Sequence, residues 1–165
     1  MELAAWIRAF RSLHEQARKG DLSASETVIY HGQREELARA LVVAQRLTTL
    51  PGQTARQSLR VARALQLDLD LDEGRQRVMT MHLSTGGFGT LLQKSPAVGA
   101  AIGFSLRLPG STELLVGRAR VVDAHKRVGN SLVSFAFEPL PDAAREQLEL
   151  CLFDTVLQQF QGVSA

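Results

Sequence analysis

The stretch of sequence that decides the fold runs from residue 65 to residue 72 and reads Leu65-Gln66-Leu67-Asp68-Leu69-Asp70-Leu71-Asp72. A two-residue repeat places the four leucines on one face of a β-strand and the polar side chains on the other. Five further strand-like stretches follow, at residues 77–83, 88–92, 102–108, 114–122 and 131–137. Turn residues separate them, so the sequence predicts six short strands in a barrel or sandwich.

Two helical patterns precede the strands. Residues 3–19 repeat apolar side chains at three- and four-residue steps, and Gly20 follows as a stop signal. A capping-box pattern, Ser23-Ala24-Ser25-Glu26, opens a second helix that runs towards Leu47. Its predicted apolar line consists of Val28, Ile29, Leu37, Leu41, Ala44 and Leu47. These patterns predict an N-terminal helical hairpin over residues 1–50.

A last helix is expected after the strands. Pro141-Asp142 opens it, and its apolar stripe consists of Ala144, Leu148, Leu152, Val156 and Phe160. We interpret this stripe as core packing rather than as a partner-binding face. Pro51-Gly52 reads as a boundary, so we expect a second domain over residues 54–160 that holds the strands and this helix.

Composition excludes several classes of protein. The chain has 165 residues, and 19 basic residues against 17 acidic ones leave a net charge of +2, too small an excess for a general DNA or RNA binder. A single cysteine, Cys151, excludes a disulfide framework and a cysteine-based zinc site. No apolar run approaches the roughly 20 residues of a membrane span, and no secretory signal precedes the first helix. We therefore expect a cytoplasmic protein.

The first candidate site is the segment Arg56-Gln57-Ser58-Leu59-Arg60, which Arg63 extends. No acidic residue occurs from Gln53 to Leu67, which makes this the most one-sided positive stretch in the chain. Two arginines four residues apart can close around an anion, and each offers a bidentate fork for phosphate and a flat face for a purine. The alternative interpretation is a solvated charge run at a domain junction.

The second candidate site is His82-Leu83-Ser84-Thr85-Gly86-Gly87-Phe88-Gly89, between the second and third predicted strands. Its three glycines expose backbone N–H groups to a ligand, and Ser84 adds a short donor and acceptor. A phosphate-binding P-loop is excluded because no Gly-Lys-Ser/Thr follows, and a dinucleotide fingerprint is excluded because the glycine spacing differs and a strand follows instead of a helix. The alternative interpretation is a glycine-rich hairpin turn.

The rest of the sequence contains no group of residues with the spacing of a catalytic or metal-binding site. The remaining histidines (His14, His31 and His125) lack the spacing of metal ligands, and Cys151 falls beside the apolar stripe of the last helix. The aspartates of the strand at 65–72 share one face and read as a solvated surface. We therefore expect a protein that is not an enzyme and holds neither a metal nor a cofactor.

Taken together, the two candidate sites resemble the motif pair of the PilZ domain, a bacterial six-stranded antiparallel β-barrel that serves as a receptor for cyclic di-GMP. Arg56 to Arg60 match the family's Arg-x-x-x-Arg segment before the first strand. His82 to Gly87 match its Asp/Asn-x-Ser-x-x-Gly motif except at the first position, and this motif begins 22 residues after Arg60. The resemblance covers about residues 54–160 and implies a mainly β fold with flanking helices.

The resemblance also implies roles for individual residues. Arg56 and Arg60 would hold the phosphates and contact the guanines. Ser84 and the backbone around Gly86 and Gly87 would meet a guanine edge and the ribose-phosphate. His82 stands where the family carries a carboxylate or amide, and a neutral imidazole accepts a single hydrogen bond. Loss of one charge-assisted hydrogen bond costs about 1.5–3 kcal/mol, roughly ten- to a hundredfold in affinity.

These roles lead to a functional hypothesis. The chain would be a non-enzymatic cyclic di-GMP receptor in which the ligand orders residues 56–63 and shifts the helical hairpin relative to the barrel. The hairpin would then signal to a protein partner. The alternative is a PilZ-like scaffold that has lost the ligand and works through protein contacts, which the histidine at position 82 and the apolar helix faces favour.

Overall fold

The computed structural model describes residues 2–47 and 59–160. Within these ranges lie three helices, α1 (Leu3–Lys19), α2 (Ala24–Leu47) and α3 (Asp142–Gln159), and seven strands. The strands are β1 (Arg60–Val61), β2 (Gln66–Leu71), β3 (Gly74–Ser84), β4 (Gly87–Leu92), β5 (Ala101–Leu106), β6 (Leu115–Arg127) and β7 (Asn130–Phe137). The chain divides into two compact units, one of Met1–Leu59 with Phe153–Ala165 and one of Arg60–Leu152.

The second unit contains a closed β-barrel. Its strands follow the order β3-β2-β5-β6-β7-β4, β4 pairs again with β3, and every pairing is antiparallel. This confirms the expected six-stranded antiparallel barrel. The short β1 pairs with β3 as an additional strand. Sequence reasoning missed β1 because two residues are too few to show an alternation.

The interior of the barrel is built from leucine and phenylalanine. Leu67 and Leu69 are fully buried, as the alternation at residues 65–72 predicts. A cluster of four aromatic rings packs at centroid separations of 4.9–5.7 Å: Phe88, Phe104, Phe135 and Phe137. Rings at this spacing add packing energy beyond the area that they bury. The aspartates on the solvent-facing side of β2, Asp68 and Asp70, form ion pairs with Arg75 and Arg77 on the neighbouring strand β3.

The hairpin of β6 and β7 is longer than predicted. The expected strand ended at residue 122, whereas β6 continues to Arg127. A β-bulge between Val121 and Asp123 interrupts the pairing register, which hides the continuation from a two-residue pattern. The turn then uses Gly129 in the left-handed region, with φ 83°.

In the first unit, the helix boundaries agree with the sequence but one buried face does not. Gly20 ends α1 in the left-handed conformation, and the capping box forms through reciprocal hydrogen bonds between Ser23 and Glu26. The predicted apolar line of α2 is wrong at its start, because Val28 and Ile29 are 72% and 53% exposed, and at Ala44, which is exposed as well. Tyr30 and Arg34 are buried instead.

A buried polar network explains this difference. The Nδ1 atom of His14, a residue only 1% exposed, lies 2.7 Å from the Tyr30 hydroxyl, and its Nε2 lies 2.5 Å from the Asp154 carboxylate. The Arg34 guanidinium lies over the Tyr30 and Phe153 rings, 5.1 and 5.9 Å from their centroids. Buried polar groups normally have hydrogen-bond partners. His14, Tyr30 and Arg34 have partners inside this unit, so they are buried at positions where a pattern based on apolar residues alone predicts exposure.

The last helix follows its predicted stripe. Leu148, Leu152 and Val156 are buried, and so is Cys151. Among the described helices, none is both long and apolar enough to cross a membrane.

Candidate ligand-binding site

The first motif reaches the barrel through β1, where Arg60 lies directly opposite Ser84 of β3. The next pair, Val61 and Leu83, is buried in the core at 4% and 0% exposure. Because side chains alternate along a strand, Arg60 and Ser84 share the outer face of the barrel. Side chains that are directly opposite on paired strands have Cβ atoms about 4.5–5.5 Å apart. The structure thus brings one residue of each motif together.

A single threonine ties the segment after β1 to β3. The Thr80 hydroxyl donates to the Arg63 carbonyl at 2.6 Å and accepts from the Leu65 N–H at 2.8 Å. The backbone N–H of Thr80 donates to the Leu65 carbonyl at 2.9 Å. Residues 63–65 link β1 to β2, so these bonds fix where Arg60 enters the site.

The turn of the second motif is organised by Ser84. Its Oγ accepts from the N–H groups of Gly86 and Gly87, at 3.2 and 3.1 Å, and lies 3.3 Å from the Gly87 carbonyl. The two N–H groups that were expected to meet a ligand therefore point at Ser84 in this structure. In this structure, the hydroxyl of Ser84 stabilises the turn through hydrogen bonds to its backbone.

The backbone of a neighbouring barrel strand leaves no space for a side chain at Gly87. A Cβ at this position would fall on the carbonyl oxygen of Phe135, in the backbone of the paired strand β7. No side chain can be accommodated there unless the sheet moves. The absence of a side chain at Gly87 thus serves strand pairing whether or not a ligand is present.

His82 lies on the same outer face as Ser84, two residues earlier in β3. Its register partner on β4 is Gly89. A Cβ at Gly89 would overlap the imidazole, with Nε2 the nearest atom and neither Cε1 nor Cδ2 more than 2.7 Å away. The sequence included Gly89 in the second candidate stretch but gave no sign that it would lie beside His82, because that depends on the register between β3 and β4.

Of the six predicted site residues, five lie on β1, on β3, in the turn after β3 and at the start of β4. These are Arg60, His82, Ser84, Gly86 and Gly87. Arg56 falls outside the described residues. The described part of the chain contains no group of three or more His, Cys, Asp or Glu side chains that could hold a metal ion.

The aspartates of β2 are paired with cations on β3. The Arg77 guanidinium donates to the Asp68 carboxylate at 3.1 Å, and this hydrogen bond lowers the pKa of Asp68. Arg75 lies 2.9 Å from Asp70 and 3.7 Å from Asp68. These ion pairs hold the negative charge of β2 against β3.

An open pocket of about 370 Å³ elsewhere on the barrel is the rival location for a ligand. Residues 64–66 form one part of its lining and residues 107–111 the other. Arg107 contributes its only charged side chain. None of the residues in the two motifs lines it, so the outer face at β1 and β3 remains the candidate site.

Known proteins resemble this chain in fold. The PilZ domain of Escherichia coli YcgR, solved with c-di-GMP, gives a TM-score of 0.54 at 18% identity, over 67% of this chain and 98% of that one. The K. pneumonia MrkH–c-di-GMP complex gives 0.57 at 13%, over 67% and 56%. Bacillus subtilis MotI/DgrA, an inhibitor of motility, gives 0.54 at 17%, over 63% and 53%. The chain thus spans about half the length of MotI/DgrA and of MrkH.

No curated protein matches the chain closely enough to indicate its role. A family model does match: the PilZ domain model aligns with residues 54–154, which is more than half of the chain. Both motifs lie within the matched residues. This chain belongs to the PilZ domain family.

Proposed function

We propose that this chain is a non-enzymatic receptor for cyclic di-GMP. The observation that carries the proposal is the pairing of Arg60 with Ser84, which brings one residue of each motif to directly opposite positions on β1 and β3. Family membership and two similar structures that contain c-di-GMP support the same ligand.

The chemistry of the face suits a cyclic dinucleotide phosphate. Arg60 presents a fork of N–H donors that matches two phosphate oxygens, and we assign the same role to Arg56. The hydrogen bonds of Ser84 give the turn a fixed shape, so its backbone can approach a ribose-phosphate at no further ordering cost. Arg63 adds positive charge on the segment that Thr80 holds.

Calorimetric titration with cyclic di-GMP tests the proposal. We expect Arg60→Ala to weaken binding by ten- to a hundredfold, because each charge-assisted hydrogen bond contributes about 1.5–3 kcal/mol. Arg118→Ala is the matched control, since Arg118 is an exposed arginine on β6 whose guanidinium donates to the Ala101 carbonyl at 3.4 Å. Equal affinities of the two variants would contradict the proposed site.

We further propose that binding is signalled through the helices to a protein partner. In the sequence, α2 ends at Leu47 and β1 begins at Arg60, so Arg56 lies in the link that joins them and Arg60 follows directly at its end. A ligand that fixes Arg56 and Arg60 would constrain this link. Hydrogen exchange over residues 2–63 should slow with saturating nucleotide, and unchanged exchange there would refute the signalling step.

A second candidate function is a protein-interaction scaffold that has lost the ligand. It is favoured by the imidazole at position 82 and by the exposure of Val28 and Ile29 on α2. A His82→Asp variant separates the two functions. Binding by this variant together with no binding by the native chain would support the scaffold.

A further inference from the structure

We propose that His82 is a stacking shelf for a purine base, and that this site accordingly distinguishes guanine from adenine only weakly. The inference rests on the proposed function and names its ligand class as cyclic purine dinucleotides rather than cyclic di-GMP alone. It follows from the orientation of one ring.

The His82 imidazole lies flat against β4. The ring atoms nearest to a Cβ at Gly89 would be Nε2 and both carbons bonded to it, all within 2.7 Å. If Nε2 pointed edge-on at that position, the two carbons would be distinctly farther away than the nitrogen. One face of the ring therefore covers the Cα of Gly89.

The other face of the ring is turned away from β4. Leu83, the next residue, is buried in the core, so the side chain of His82 starts from the outer surface. Beyond Gly89 the same row of the sheet continues to Ser134 of β7, which is also small. Neither β4 nor β7 therefore contributes a bulky side chain to this row.

The position of the shelf fits the rest of the site. Arg60 lies diagonally across β3 from His82, and such diagonal neighbours are about 7–8 Å apart. A base that stacks on the imidazole therefore keeps its own ribose-phosphate within reach of the Arg60 guanidinium. Ser84 lies between them on the same face of β3.

A stacked ring recognises a base differently from a carboxylate. A carboxylate accepts hydrogen bonds from the N1–H and N2–H₂ groups of guanine, which adenine does not offer, and so it selects guanine. Stacking uses the π-face that every base has, and it tolerates changes at the base edge. An imidazole that lies flat uses its face, so recognition at position 82 loses most of its selectivity for guanine.

The first test compares cyclic di-GMP with cyclic di-AMP by calorimetry on the full chain. The native protein should bind the two within about tenfold of each other. His82→Phe, which keeps a flat ring but no ring nitrogen, should bind both nearly as well as the native chain. His82→Ala should weaken both by about five- to 150-fold, the range expected for loss of one base stack. His82→Asp should prefer cyclic di-GMP by at least tenfold.

The second test changes the residue under the imidazole and leaves His82 itself unchanged. The atoms nearest to a Cβ at Gly89 belong to the end of the His82 side chain, so Gly89→Ala should fold and displace the imidazole. We expect this variant to weaken the binding of both nucleotides to a similar degree. Gly103→Ala is the matched control, because the atoms nearest to its Cβ also belong to one side chain, that of Asp70, away from both motifs.

The outcomes separate the inference from the proposed function. Selectivity of the native chain for cyclic di-GMP above a hundredfold would overturn the shelf and leave the receptor intact. Loss of binding in His82→Phe equal to that in His82→Ala would also overturn it. If the native chain bound neither nucleotide, the receptor and the shelf would both be refuted.

Discussion

Replacing Thr80 by valine should loosen the segment that delivers Arg60 to the site. Thr80 is 1% exposed, and its hydroxyl both donates to the Arg63 carbonyl and accepts from the Leu65 N–H. Valine has nearly the same shape but neither capacity. The variant therefore tests whether this one oxygen ties residues 63–65 to β3.

The expected cost follows from counting the groups that lose partners. Each hydrogen bond contributes about 0.5–1.5 kcal/mol net, and the Leu65 N–H is left buried without an acceptor at about 1–3 kcal/mol. We expect Thr80→Val to lower the free energy of unfolding by about 2–4 kcal/mol. Thr90→Val is a matched control, because the fully buried Thr90 donates one hydroxyl bond, to the Met79 carbonyl, and should cost only about 0.5–1.5 kcal/mol.

Urea unfolding of the two variants measures this difference, and amide hydrogen exchange at Leu65 localises it. We also expect Thr80→Val, but not Thr90→Val, to weaken cyclic di-GMP binding, since only the former frees the segment behind Arg60. If the two variants lost equal stability, or if exchange at Leu65 were unchanged, the Thr80 hydroxyl would not be the group that holds residues 63–65 against β3.

Three further substitutions test other parts of the fold. Gly87→Ala should lower the free energy of unfolding by about 2–3 kcal/mol in urea unfolding, because its Cβ would overlap the backbone carbonyl of Phe135; a neutral effect would contradict the close approach. Tyr30→Phe should cost about 1–3 kcal/mol in the same assay, since it removes the buried partner of His14, and a cost below about 0.5 kcal/mol would argue against that bond. Asp68→Asn should be less stable than the native chain at neutral pH. Its pKa is lowered in the folded state, so the difference should persist above its ordinary pKa of 3.8 and disappear as the pH falls through the lower folded pKa. A difference that stayed constant down to pH 2 would show that the charge of Asp68 is not involved.

The barrel is the part of the structure that the sequence predicts best. The alternation at residues 65–72 required one buried face, and the structure buries Leu67 and Leu69 there. The capping box at Ser23 and the stop at Gly20 are local signals, and both formed as predicted. These features are determined by residues that are close together in the sequence, so they can be predicted from it.

What the sequence did not predict depends on residues far apart in the chain. The burial of His14 is set by Asp154, 140 residues later, which no local pattern contains. The buried face of α2 follows from that network, which explains why Val28 and Ile29 were wrongly placed inside.

In the candidate site, the sequence identified the two motifs but not how the fold brings them together. Arg60 lies opposite Ser84 because the short strand β1 pairs with β3, and β1 was not predicted. The packing of His82 on Gly89 depends on the register between β3 and β4, after a shift between Thr80 and His82. A two-residue pattern cannot anticipate such a shift.

The most direct test of the receptor is to map where cyclic di-GMP binds, by amide hydrogen exchange of the full chain with and without saturating nucleotide. Our account predicts slowed exchange at residues 60–63 and 82–89, on the outer face shared by β1, β3 and β4. Slowed exchange at residues 107–111 with no change at those positions would place the ligand in the open pocket and contradict the account.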